Sequence, residues 1–377
     1  MDSSSSKLEA RLRQLESAGV TMVDPRQTYV SDDVDLDRIG AGVVLHPGTR
    51  LVGARCWLGA GAQVGTEGPA TLVDAVLDED ASVASGFVSG AVLLRGASLG
   101  ANAHVRGGTL LEERASTAHA VGLKQTILLS FVTLGSLINF CDCLMGGGTS
   151  RQDHSEVGSG YIHFNFTPWG ERGDKATPSL LGDVTHGVWL RSRRIFMGGS
   201  GGLVGPARVG YGAVAGAGQV VRGGIGENRL VLTPLRKLDR VVETHRRDPA
   251  RPRADDNLRY IAQLHALREW YRQVRLPTSP PQRRPVIEEA AANLDGCIHE
   301  RMKQLDRFLT ERGLRMPAMR FGESPPCPLD CSRVQLDHVA WVQGLEAAAV
   351  AAGTEWLQGI ADQALRPALE ELAALAS

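Results

Sequence analysis

Two histidines of this chain sit where an imidazole could take up a proton. His163 precedes Asn165 by two residues, and an extended strand would turn both side chains to one side. Imidazole changes charge near neutral pH, which suits it to general-base work. His154, beside Asp153 in the segment RQDHSE, is a second candidate. The plainer reading of both is an ordinary polar or loop histidine. Cys141 and Cys143 would share one side of a strand, and Cys327 and Cys331 lie in a Pro-rich stretch. Neither pair has the doubled CxxC spacing of a zinc site, so no metal is expected. The glycines at 146–148 could cradle a phosphate, or simply turn the chain into a loop. Trp169 could cap a sugar face or anchor its own loop.

These residues depend on a repeating frame. Of 44 glycines in 377 residues, 38 precede residue 240 and 6 follow it, so two regions obey different rules. Apolar residues recur every six positions in the first region: Ile39, Leu45 and Leu51, then Leu58 and Val64, then Leu77 and Val83. Leu93, Leu99, Val105 and Leu111 form an unbroken set, as do Met197, Leu203, Val209, Ala215 and Val221. A period of six fits short strands joined by tight turns, each strand sending one apolar residue inward, and such coils stack into a β-solenoid. The frame breaks at about 144–180, where GGGTSRQDHSEVGSG and TPWGERGDKATP read as loops leaving the scaffold.

Beyond 237 the pattern turns helical. HRRDPARPRADD reads as a charged linker, and Leu258, Ile261, Leu264 and Leu267 mark an amphipathic helix ended by PTSPPQRRP. Further helices are predicted from about Val286 to Arg312, near 333–351 and over 354–375. The expected organisation is an N-terminal helix over 1–20, a β-helix over 21–236, a linker over 237–256 and an α-helical domain over 257–377. The helical faces would pack on each other, on the solenoid or on a neighbouring subunit.

Composition narrows the function. Lys+Arg 41 against Asp+Glu 42 gives no basic field, so nucleic acid is not the expected partner. No apolar run is long enough for a membrane span, and the polar start MDSSSSKLEARLRQLESAG is no signal peptide. Six scattered cysteines show no disulfide framework, which fits a cytoplasmic protein.

Several segments carry a resemblance. RGGTLLEERASTAHAVGLK (106–124) matches a family segment that opens on a phosphate-binding Arg and closes on a Lys at the same spacing. VGSGYIHFNF (157–166) is similar to IGAGTITCNY, GVTMVDPRQTYVSDDVDL to the entry of a left-handed β-helix, and GENRLVLTP (226–234) to a last solenoid turn. The first 236 residues thus resemble the acetyltransferase half of the bifunctional N-acetylglucosamine-1-phosphate uridyltransferase and glucosamine-1-phosphate acetyltransferase, a hexapeptide-repeat transferase. The chain has no counterpart of that family's pyrophosphorylase domain, and the helical region is not covered.

The resemblance implies a left-handed parallel β-helix followed by an α-helical domain, a homotrimer with sites between subunits, and acyl transfer from coenzyme A to a phosphorylated or nucleotide-linked amino sugar. Arg106 and Lys124 would hold the phosphate, with Arg172 or Lys175 supplying a further cation. Asn165 would bind the sugar, the Ser159 backbone N–H would polarise the thioester carbonyl, and Gly199, Ser200 and Arg236 would lie near coenzyme A. The family's catalytic His falls on Phe140 in NFCDCLMG, and the Glu that orients it falls on Gly122. Its phosphate-contacting Tyr falls on Cys143 and an active-site Asn on Glu156. Loss of base and orienter together leaves His163 as the candidate replacement base. Two alternatives follow: a catalytically degenerate sugar-phosphate binder, or a trimeric platform whose C-terminal helices recruit a protein partner.

Overall fold

The computed structural model describes residues 3–166, 175–232 and 250–374. Helix α1 (Ser3–Ser17) sets Leu12 and Leu15 against the first coil and covers that end of the apolar core. The chain then winds into a three-sided parallel β-solenoid, as the repeat predicts and in keeping with the left-handed β-helix that the resemblance implies. One face is an 11-stranded sheet running from Thr21–Met22 to Leu230–Val231. A second face includes Gly86–Ser89, Ala103–Val105, Ile162–Phe164 and the first halves of Gly122–Leu128 and Asn139–Met145. A third carries Val76–Leu77, Ala91–Leu93, Thr109–Leu111 and Ser179–Leu181. Every apolar residue assigned to the six-residue register is buried in one continuous core. Corner residues such as Asp80, Asn102, Asp142 and Ser200 take positive φ, which short polar side chains tolerate best.

Strands persist within the break expected at 144–180. Glu156–Val157, Ile162–Phe164 and Ser179–Leu181 keep their places in the ladder. A further excursion after Leu181 carries the single-turn helix α2 (Val184–Gly187) and was not foreseen. It drives Trp189 edge-on against Trp270 at 5.0 Å and against Gly353, where no side chain would fit.

Helix α3 (Ala250–Trp270) begins inside the segment read as linker. It continues through a π turn over Tyr271–Arg275 and the short α4 (Leu276–Thr278). Then come α5 (Arg284–Thr310), α6 (His338–Gly344) and α7 (Ala347–Ala374). Leu258, Ile261, Leu264 and Leu267 are all buried, but so are Asn257, His265 and Glu269, because α3 lies among α5, α7 and the solenoid.

The helices pack on each other and on the third face of the solenoid. There the strands are buried on both sides: Leu77, Leu93 and Leu111 point into the coil, while Val76, Val92 and Leu110 meet the helices. Polar bonds fix the seam. Asn293 Nδ2 donates to the Thr109 carbonyl at 3.1 Å, Tyr271 Oη to Glu112 at 2.8 Å, and Arg275 and Arg283 pair with Glu113 and Asp78. Among the described residues, the outward side chains Phe87, Ile162 and Phe164 of the second face and Phe196, Val214 and Leu230 of the first stay exposed.

Candidate functional site

Strand alternation on the second face decides what each expected residue can do. Val105 pairs with Leu123, Leu123 with Phe140, and His163 with Leu203, which pairs with Val221. Asn139 pairs with Ile162, so Phe140 and His163 are neighbours in this inward column. Phe140 is fully buried and meets Tyr161 and His163 edge-on.

His163 therefore faces the core, contrary to the expectation of a base turned toward substrate. It is 3% exposed. Its Nδ1 lies 2.6 Å from the Cys141 carbonyl oxygen, which can only accept, so Nδ1 carries the hydrogen. Nε2 then accepts from Ser179 Oγ at 2.8 Å, and Ser179 Oγ in turn accepts from the Ala207 N–H. Burial lowers the imidazole to about 4 and keeps it neutral. Both nitrogens are committed to the protein.

The outward positions gather the cations. Lys124 pairs in register with Cys141, and the exposed Arg106 reaches across to set Nη2 4.0 Å from Cys141 Sγ. Burial, and then the Asp142 carboxylate, raise the Cys141 thiol, while Arg106 and Lys124 pull the other way. Asn165, half-buried at the same corner, donates Nδ2 to Asp142 Oδ2 at 3.0 Å. Asp142 Oδ1 receives Nη2 of the buried Arg301, from α5, at 3.0 Å. A helix thus supports the corner from behind.

Sequence reading missed Asp142 and Arg301. Arg301 left one signal, standing four residues after Cys297 and four before Leu305 on the buried stripe of α5. The register also bears on the lost base and its orienter. Gly122 pairs with Asn139, and a Cβ built on Gly122 would lie 3.6 Å from Asn139 Oδ1. A side chain oriented by position 122 would therefore stand at Asn139, because Phe140 faces the opposite side.

The remaining expected residues divide. Ser159, Gly199 and Ser200 meet at another corner, where the Ser200 N–H donates to the Ser159 carbonyl at 2.7 Å. A Cβ on Gly199 would come within 2.6 Å of the Ser159 carbonyl oxygen, so coil stacking alone demands that glycine. Lys175 is exposed. Cys143 is buried within the third-face ladder. His154 stands apart on the first face, with Nδ1 2.9 Å from the Arg151 carbonyl oxygen and Nε2 3.7 Å from Glu156. Arg172, Trp169 and Arg236 lie outside the described residues. Among the described residues no group of three His, Cys, Asp or Glu could hold a metal. A cavity of about 480 Å³ opens beside α3 and α7, and none of the expected site residues lines it.

Fold and corner together define a hexapeptide-type parallel β-solenoid with a cationic outer column and an added helical domain. No family model matches the chain. It is similar to the Bifunctional protein GlmU of Clavibacter sepedonicus, 29% identical over 255 residues that cover 67% of this chain and 46% of that protein. The GlmU proteins of Nocardia farcinica and Mycobacterium leprae are 28% and 27% identical, each over 61% of this chain and 41% and 42% of their own length. The chain spans less than half of these relatives. No helix among the described residues is long and apolar enough to cross a membrane.

Proposed function

We propose that the protein binds a phosphorylated or nucleotide-linked amino sugar at the Arg106–Lys124–Asn165 corner and transfers an acyl group to its amine from coenzyme A. The observation that carries this reading is the placement of Arg106 and Lys124 on one outward column with Cys141, whose chain neighbour Asp142 accepts from Asn165. A guanidinium and an ammonium on one side of a rigid sheet suit a phosphate, and the carboxamide suits a sugar. Similarity to the GlmU proteins supports the choice of reaction.

The donor would lie along the corner of Ser159, Gly199 and Ser200, where the Ser159 N–H is the carbonyl-polarising group. Coenzyme A supplies an activated thioester there. Lys175 and Arg172 are the candidate cations for a second phosphate, and Arg236 for the donor. The working form is a homotrimer. Its support is a pair of solenoid faces, one exposing Phe87, Ile162 and Phe164, the other Phe196, Val214 and Leu230. The place of action is the cytoplasm, in keeping with six free cysteines.

A second reading, a binder without turnover, draws on Gly122 and Asn139, which offer no base–orienter pair. Thiol release from acetyl-CoA with glucosamine-1-phosphate and related amino-sugar phosphates, measured alongside binding, separates the two. Turnover lost in Arg106→Ala supports transfer. Binding without turnover supports the binder. Neither response removes both and leaves the trimeric platform, with its helices recruiting a protein partner.

A further inference from the structure

The corner holds cations and a carboxamide, yet His163 cannot serve it. One other imidazole shares the outward side of the same strand as Arg106. His104 precedes Arg106 by two residues in Ala103–Val105, so both project from the second face. It is exposed, and among the described residues neither ring nitrogen has a hydrogen-bond partner. Its ring stacks on Phe87 of the preceding coil, with centroids 5.5 Å apart and planes 25° apart. That contact steers the ring without consuming a nitrogen.

The next coil leaves space beside it. His104 pairs with Gly122, and Gly122 with Asn139. Unlike Gly199, Gly122 is not demanded by packing: a Cβ there would meet its neighbours at ordinary distances of 3.6–4.0 Å, and φ is not positive. The missing side chain opens a slot between His104 and Asn139. Two coil spacings make it about 10 Å wide between backbones, enough for an amine between two side chains. Arg106 and Lys124 border the same slot.

We propose that His104 is the catalytic base of this site, accepting the proton of a sugar amine seated over Gly122 while Arg106 and Lys124 hold the sugar's phosphate. This rests on the acyl-transfer reading above. As the amine nitrogen bonds to the thioester carbonyl carbon, the C–S bond breaks and the sulfur leaves with its electron pair. His104 takes the proton released by nitrogen and returns it to the departing thiolate. Amide and free thiol are the products.

The test compares His104→Ala, His104→Gln and Arg106→Ala by thiol release from acetyl-CoA with glucosamine-1-phosphate, and by calorimetric binding of that sugar phosphate. Both His104 variants should lose about 10²–10⁴ in kcat while sugar-phosphate affinity stays within about twofold. Added imidazole should restore part of the rate in His104→Ala. A His104→Ala protein within about threefold of wild-type kcat, where Arg106→Ala is impaired, would overturn this role alone. Wild-type protein without turnover would overturn it together with the acyl-transfer reading.

Discussion

The interior of the solenoid and the seam beneath its helices are both buried, but they are built differently. The interior is mainly aliphatic, with Phe140, Tyr161 and Tyr211 among its members and His163 and Thr117 among its buried polar residues, and its apolar residues recur at six-residue spacing. The seam mixes an apolar cluster with buried ions: Glu112, Glu113 and Asp78 from the coils against Arg275 and Arg283 from the helical region. Repetition makes a scaffold from one local rule, whereas individual ion pairs fix how one body seats on another. The candidate site uses both, since its cations stand on the scaffold and Asp142 is held by Arg301.

The seam should be the easier region to break. Arg275→Met leaves Glu113 buried without its closest cation and should cost about 3–5 kcal/mol in chemical denaturation. Glu112 provides the contrast. Burial raises its carboxyl despite the nearby Arg275, so its charge is a burden at neutral pH. Glu112→Gln keeps an acceptor for Tyr271 and should match or exceed wild-type stability at pH 7. A loss above about 1 kcal/mol would show that Glu112 acts as an anion. In the interior, Leu93→Ala should cost about 2–4 kcal/mol through the cavity it leaves.

Acid should act on the seam and, through the buried His163, on the interior as well. Burial alone would raise Glu113, but Arg275, with help from His338 and Arg283, brings it down to about 2. A carboxyl depressed from 4.5 stabilises the fold above that value and loses the contribution as pH falls toward 2. Burial and Arg275 lower His338 to about 3, so its neutral form also favours the fold, with losses below 6.5. Glu112, shifted upward, opposes both. Melting temperature should fall from pH 6.5 to 2, and Glu113→Gln should flatten the lower part of that curve.

Smaller stability losses are expected at His163 and at the corner. His163→Leu strands the Ser179 hydroxyl and the Cys141 carbonyl and should cost about 1–3 kcal/mol, with sugar-phosphate affinity unchanged. A selective loss of turnover in a stable His163→Gln protein would return His163 to the chemistry. Arg106→Ala and Lys124→Ala should each weaken phosphate binding roughly tenfold, with stability within about 0.5 kcal/mol of wild type.

Much of the fold was legible because its rule is local. An inward apolar residue every six positions, with turns permissive of positive φ, defines a coil without knowledge of its neighbours. Leu93 through Leu111 and Met197 through Val221 display that rule in order. The site was legible only as a composition. Arg106, Lys124 and Asn165 could be named, but not which imidazole would join them. In a strand a one-residue difference reverses the face, so His163, expected to face outward with Asn165, turns inward instead, and His104 went unnoticed. The α2 excursion carries no register to follow.

By itself, then, the amino-acid order determined a coiled parallel scaffold, a helical region after it and the cations that the scaffold displays. Only the tertiary structure decided that the helices seat on the third face, that Arg301 meets Asp142, and that His163 spends both nitrogens inside the core. Those outcomes depend on groups distant in the chain competing for one buried place, where an unpaired charge or donor is costly. No repeat or motif records that competition.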